Sequence, residues 1–119
     1  MRDHTRLRAF ELADELALEI YRSTMIFPKH EQFGLTNQIR RAAVSVASNI
    51  VEGCARSTEG DYLRFLDIAY GSVREVEYQL SLAHRLNYLS PEQYKSVHPK
   101  ALETSKALGA LIRAIRGQS

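Results

Sequence analysis

Ala42-Ala43-Val44-Ser45-Val46-Ala47-Ser48-Asn49-Ile50-Val51 decides the fold of this chain, because these successive residues carry no formal charge. Around them Leu35, Ile39, Ala42, Val46, Ile50 and Gly53 recur at the three- and four-residue spacing of one helical face. A bundle helix normally keeps a polar side toward water, and this one offers no charge to any side. Ala42, Ala43, Ser45, Ala47 and Ser48 are also small, which lets another backbone approach closely. A helix apolar all round must be covered on more than one side, so a second subunit is expected over the side a lone domain leaves open. Ala43, Ala47, Asn49 and Glu52 are then the candidate oligomer-interface residues. Asn49 and Glu52 are the polar groups that would fix register or pairing, at some cost in stability.

Three more helical periods surround this one. Before it, Phe10, Ala13, Ala17, Ile20, Thr24 and Phe27 form a stripe widened by Leu12 and Leu16, predicting a helix over about 7–26. Arg8, Glu11, Glu15, Glu19 and Arg22 fall opposite, and Pro28 disfavours a helical residue before it. The charge-free segment itself predicts a helix over about 35–55. After it, Tyr62, Leu66, Ala69, Val73, Val76, Leu80 and Ala83 make an unbroken seam over about 58–88, with Ser57 or Thr58 able to cap its start. Ser90, Pro91 and Gln93 then spell a capping box with proline at the first helical position, opening a helix over about 91–116. Pro99 removes an amide donor and clashes with the carbonyl of Lys95, so a kink or break is expected there. Connections this short make neighbours antiparallel. The expected fold is all-α, an up-down-up-down four-helix bundle forming one domain over 1–119.

Composition narrows the function classes. With 119 residues, 45% hydrophobic and 25% charged, the chain is an ordinary globular domain; intrinsic disorder and low-complexity linkers are excluded. Cys54 is the only cysteine, which forbids an internal disulfide and fits a reducing compartment. Neither a signal peptide nor a membrane span is evident, so a cytoplasmic location without membrane contact is expected. Di-iron bundles use Glu-x-x-His pairs. Here the residues three before His4, His30, His84 and His98 are Met1, Phe27, Ser81 and Lys95. No His-x-x-x-His pair or phosphate-binding glycine loop occurs either, so no metal, cofactor or enzymatic activity is expected. Cys54 reads as a small buried thiol.

The cations leave two readings open. Arg40 and Arg41 precede the charge-free run and Arg56 follows it; guanidinium forks suit phosphate, but an arginine can equally neutralise Glu52. From Lys95 onward, Lys95, Lys100, Lys106, Arg113 and Arg116 face the single carboxylate Glu103. A net charge of only +2 gives no proof of an anionic partner. Repetition around an oligomer, however, would turn a weak basic strip into a multivalent, salt-sensitive surface. Arg40, Arg41, Arg56, Lys95, Lys100, Lys106 and Arg113 are therefore the candidate nucleic-acid contacts. The alternative is a protein-interaction adaptor whose basic residues only solubilise it.

The segments Phe27-Pro28-Lys29-His30-Glu31-Gln32-Phe33-Gly34-Leu35-Thr36, Gln38-Ile39-Arg40-Arg41-Ala42-Ala43-Val44-Ser45 and Ser48-Asn49-Ile50-Val51-Glu52-Gly53 carry a further signal. With Phe65-Leu66-Asp67-Ile68-Ala69-Tyr70-Gly71-Ser72 and Glu75-Val76-Glu77-Tyr78-Gln79-Leu80, they resemble the bacterial four-helix-bundle family, also called the ribosomal RNA intervening-sequence protein family. The likeness runs from about Phe10 to Tyr88. It implies a four-helix bundle assembling into a homopentameric ring, from a family often encoded within insertions in the large ribosomal RNA gene. A related protein, the accessory variability protein of diversity-generating retroelements, is a basic pentamer that binds nucleic acid and its reverse transcriptase. Ribosomal RNA, another nucleic acid or a protein partner is thus expected beside the chain's own copies. Phe10, where a tryptophan is expected, and Pro99 in the fourth helix depart from the pattern.

Overall fold

Each helix begins and ends where local chemistry dictates. The computed structural model describes residues 2–117, and among these it contains four long helices and no strand. They are α1 (Arg8–Ser23), α2 (Leu35–Cys54), α3 (Glu59–Arg85) and α4 (Pro91–Gly117). α1 stops at Ser23, short of the expected 26. A single 3-10 turn, Thr24–Ile26, follows, and Phe27 is extended (ψ 149°) before Pro28. The Thr24 hydroxyl donates to the Ile20 carbonyl at 2.7 Å, a buried bond that satisfies one of the last carbonyls of the helix. At the start of α2, Glu31 accepts a hydrogen bond from the Leu35 amide at 3.0 Å, supplying the cap that Gly34 lacks.

α3 opens on Thr58, whose hydroxyl accepts from the Asp61 amide at 3.1 Å. It closes at Arg85 and not at 88, because Asn87 adopts a left-handed conformation (φ 63°). The Tyr88 amide then reaches back to the Ala83 carbonyl at 2.9 Å, a Schellman closure with asparagine in glycine's usual place. The capping box of α4 forms in both directions: Gln93 N to Ser90 Oγ at 3.1 Å, and Ser90 N to Gln93 Oε1 at 2.9 Å. Of the two outcomes expected at Pro99, a kink or a break, the break does not occur, since α4 runs through it as one helix. Pro99 lies on the exposed side, while Val97 and Ala101, buried on either side of it, hold both halves in one core.

The helices form a closed cycle of neighbours, α1–α2–α3–α4–α1. The Arg2 amide bonds to the Cys54 carbonyl at 2.9 Å, bringing the chain start to the end of α2. Ser45 Oγ and Ser72 Oγ are 2.9 Å apart midway along α2 and α3, and Gly53 packs on Tyr62 and Phe65 near the start of α3. His84 stacks on Tyr94 at one end of α3 and α4, and Asp67 pairs with Arg116 toward the other. Arg8–Glu103 and Lys100–Glu19 close α4 onto α1. Every neighbouring pair is therefore antiparallel.

Leu16, Ile20, Ile39, Val46, Ile50, Leu66, Val73, Val76, Leu80 and Leu108 fill the centre without measurable exposure. Fully burying each such side chain contributes roughly 1.5–3 kcal/mol. The buried stripe of α1 is Ala9, Leu12, Ala13, Leu16 and Ile20. Phe10 and Ala17, expected within it, lie at its half-buried edge, and Phe10 leans edge-on against the His4 ring. No helix among the described residues is long and apolar enough to cross a membrane.

Candidate nucleic-acid interface

The charge-free helix keeps an outer strip. Val44 and Val51 are 41% and 36% exposed, Ser48 between them is exposed, and no charge falls between Arg41 and Glu52. Ala43 corrects the sequence reading: it is fully buried inside its own subunit and cannot contact another. Ala47 is half-buried against that same core. Asn49 donates to the Ser45 carbonyl at 2.8 Å and to Ser45 Oγ at 2.9 Å, extending the Ser45–Ser72 contact into a polar network between α2 and α3. Glu52 is exposed and pairs with Arg56 at 2.6 Å.

The seven candidate cations divide sharply. Arg40 is a clamp: its Nε donates to Thr24 Oγ1 at 2.8 Å, and its guanidinium lies 4.8 Å from the centre of the Tyr21 ring. Arg56 is held between the Glu52 carboxylate and the face of Phe65. Lys100 pairs with Glu19 at 3.6 Å. Lys95 is exposed in the second turn of α4, apart from the rest. Arg41 is exposed in a groove of about 370 Å³ between α2 and α3, where Glu75 also lines the wall.

Only Lys106 and Arg113 come together. They line a trough of about 220 Å³ between α3 and α4, with Tyr70, Leu102, Ser105 and Gly109, and Arg74 joins them from α3. The trough continues into a second depression of about 270 Å³ that shares Tyr70, Gly109 and Arg113 and adds Asp67, Ile112 and Arg116. Arg74, Lys106 and Arg113 are all exposed. Two carboxylates lie nearby: Asp67 pairs with Arg116 at 2.6 Å, and Glu77 lies 3.8 Å from Arg74, which is thereby partly neutralised. Lys106 and Arg113 remain as the cations without a carboxylate partner among the described residues. Gly109 shapes the centre, since a Cβ there would come within 3.2 Å of the Arg113 guanidinium and 3.6 Å of the Tyr70 ring. Arg74 and Tyr70 were not singled out in the sequence. Their signal was the antiparallel register of α3 against α4, which places Arg74 opposite Leu102–Lys106.

The family described as 23S rRNA-intervening sequence protein matches residues 5–110. The chain belongs to that family. This intervening-sequence protein is also similar to a solved structure from Bacteroides thetaiotaomicron, described as a protein of unknown function from the S23 ribosomal protein family. The identity is 28% and the TM-score 0.81, over 88% of this chain and 95% of that one. No curated protein matches it in sequence.

The remaining reactive groups of the intervening-sequence protein lie inside it. Cys54 is buried, and loss of water pushes its thiol pKa up, away from the reactive thiolate. Tyr62, in contact with Cys54, is pushed up to about 12, mainly by burial. Among the described residues no group of His, Cys, Asp or Glu side chains is placed to hold a metal.

Proposed function

We propose that this intervening-sequence protein is a non-enzymatic homo-oligomer that grips the phosphate backbone of structured RNA in the α3/α4 trough. The observation carrying this reading is the convergence of Lys106 and Arg113, neither with a carboxylate partner among the described residues, on one groove that Arg74, 3.8 Å from Glu77, joins from α3. Affinity would come from counter-ion release and fit to helical shape, without reading of bases. The uncharged outer strip of α2, Val44–Ser48–Val51, supports self-association. The family resemblance supports a ring of five, which would present the trough five times and multiply a weak contact. A cytoplasmic location fits such a partner. A protein-adaptor role has its own support in the exposure of Met25 and Phe33 beside the α1–α2 connection.

The test is fluorescence anisotropy with a labelled RNA hairpin across a salt series. Binding should weaken steeply, with a log–log slope of roughly 0.9 per phosphate contact if duplex DNA is a guide. Replacing Arg74, Lys106 and Arg113 together by alanine should reduce that slope by about two to three contacts. No binding at low salt, a slope near zero, or full binding by the triple variant would refute the proposal and leave the adaptor reading.

A further inference from the structure

α1 carries a second face with no partner in the subunit. Directly opposite its buried stripe, Glu11, Asp14, Glu15, Leu18, Arg22 and Met25 share one outer strip, at the spacing of successive helical turns. Its beginning is acidic: Asp14 and Glu15 are exposed, with no charged partner among the described residues, while Glu11, also exposed, lies 3.6 Å from Arg8. Its middle is apolar, with Leu18 52% exposed, and Met25 just past the helix is 78% exposed. Its far end carries two cations: Arg22, which within the single chain reaches Glu19 at 3.2 Å, and exposed Lys29, which shares a shallow pocket with Met25. An exposed pair of this kind is weak enough for Arg22 to exchange Glu19 for a carboxylate of a second copy.

The order acid, apolar, base is its own complement when the strip is turned end for end. We propose that this face pairs with the same face of a second copy of the chain, antiparallel about a two-fold axis passing through Leu18. In that register the two Leu18 side chains meet at the axis. Asp14 lies opposite the partner subunit's Arg22, and Glu11 lies opposite the partner subunit's Met25, within reach of the partner subunit's Lys29. An isologous contact requires this kind of self-complementarity, and opposed charges fix the register. The strip spans about 20 Å of helix at roughly 1.5 Å per residue and, with a helix about 10 Å wide, covers on the order of 200 Å², well below the ~800 Å² per partner of a standard interface. Pairing is therefore concentration-dependent. It is separate from any contact through α2, since it uses the outer face of a different helix, and would join two assemblies or two single chains alike.

Sedimentation equilibrium over a range of protein and salt concentrations tests this on the full chain, with circular dichroism confirming that each variant is folded. Asp14→Arg or Arg22→Asp alone should weaken the pairing step at least tenfold. The double reversal should return it to within about threefold of the starting protein, leaving any assembly through α2 unchanged throughout. A second measurement does not depend on charge. Because Cys54 is buried, Leu18→Cys should form a disulfide-linked dimer under mild oxidation, and Glu11→Cys should not, since only a residue near the axis faces its own copy. Absence of concentration-dependent pairing, single reversals without effect, a double reversal as weak as the singles, or failure of Leu18→Cys to cross-link would each overturn the proposal.

Discussion

Gly53→Ala and Gly71→Ala are the same substitution in adjacent helices, and the structure assigns them opposite signs. Alanine is worth about 1 kcal/mol over glycine within a helix, so both variants start with that gain. At Gly71 a Cβ meets nothing within 4 Å, and the gain is kept. At Gly53 the new carbon would lie 3.0 Å from Phe65 Cβ, 3.2 Å from Tyr62 Cδ1 and 3.3 Å from the Tyr62 carbonyl oxygen. Two of these neighbours are fixed close to or within the backbone of α3, so relief requires α2 and α3 to separate by a few tenths of an ångström. Overpacking of this kind costs about 1–3 kcal/mol, and Gly53 sits near the helix end where the propensity gain is smaller. The net expectation is a loss of about 1–2 kcal/mol for Gly53→Ala and a gain of about 0.5–1 kcal/mol for Gly71→Ala. Urea denaturation at one fixed protein concentration measures both, and the slopes should stay unchanged. A Gly53→Ala protein as stable as the original would refute the close approach of α2 to α3.

Arg40→Ala should cost about 1–2 kcal/mol of stability, because it removes the bond to Thr24 and the cover over Tyr21, and should leave the salt slope of RNA binding unchanged. The Glu31 carboxyl is held below its ordinary range, first by the Leu35 amide and then by the Tyr88 hydroxyl. Its contribution to stability is therefore present above the unfolded value near 4.5 and lost as pH falls through the lower folded value. Glu31→Gln should flatten the stability curve in that acid window, as seen in thermal melts. Tyr62, pushed up to about 12, holds its proton more tightly in the folded state, so stability should fall between about pH 10 and pH 12. Ultraviolet difference titration should show Tyr62 ionising late, and Tyr62→Phe should remove that step while leaving the delay of Tyr88, which is raised by its hydrogen bond to Glu31.

Local signals carried most of the fold. The Ser90–Gln93 box, the stop before Pro28 and the α3 seam from Tyr62 to Ala83 are written in adjacent residues, and each took the form its chemistry requires. The break offered at Pro99 did not form, because the lost amide is outweighed by Val97 and Ala101 buried in a core formed by distant residues. Ala43 misled: an apolar run reveals that several sides are covered, and leaves open which are covered by the same subunit. The cations were the least legible. Arg40 is consumed by Thr24, sixteen residues away, and Arg56 by Glu52 and Phe65. Arg74 reaches Lys106 and Arg113 only once α3 and α4 are set in register.

Self-association requires the outer strip of α2 to be covered by another copy of the chain. Native mass spectrometry of the purified protein, alongside Val44→Glu, addresses this directly. The expected masses are a multiple of the 13.5 kDa chain for the original protein, fivefold for the ring that the family resemblance implies, and a smaller assembly for the variant. A 13.5 kDa species persisting at high concentration, or an assembly indifferent to a charge at Val44, would contradict it.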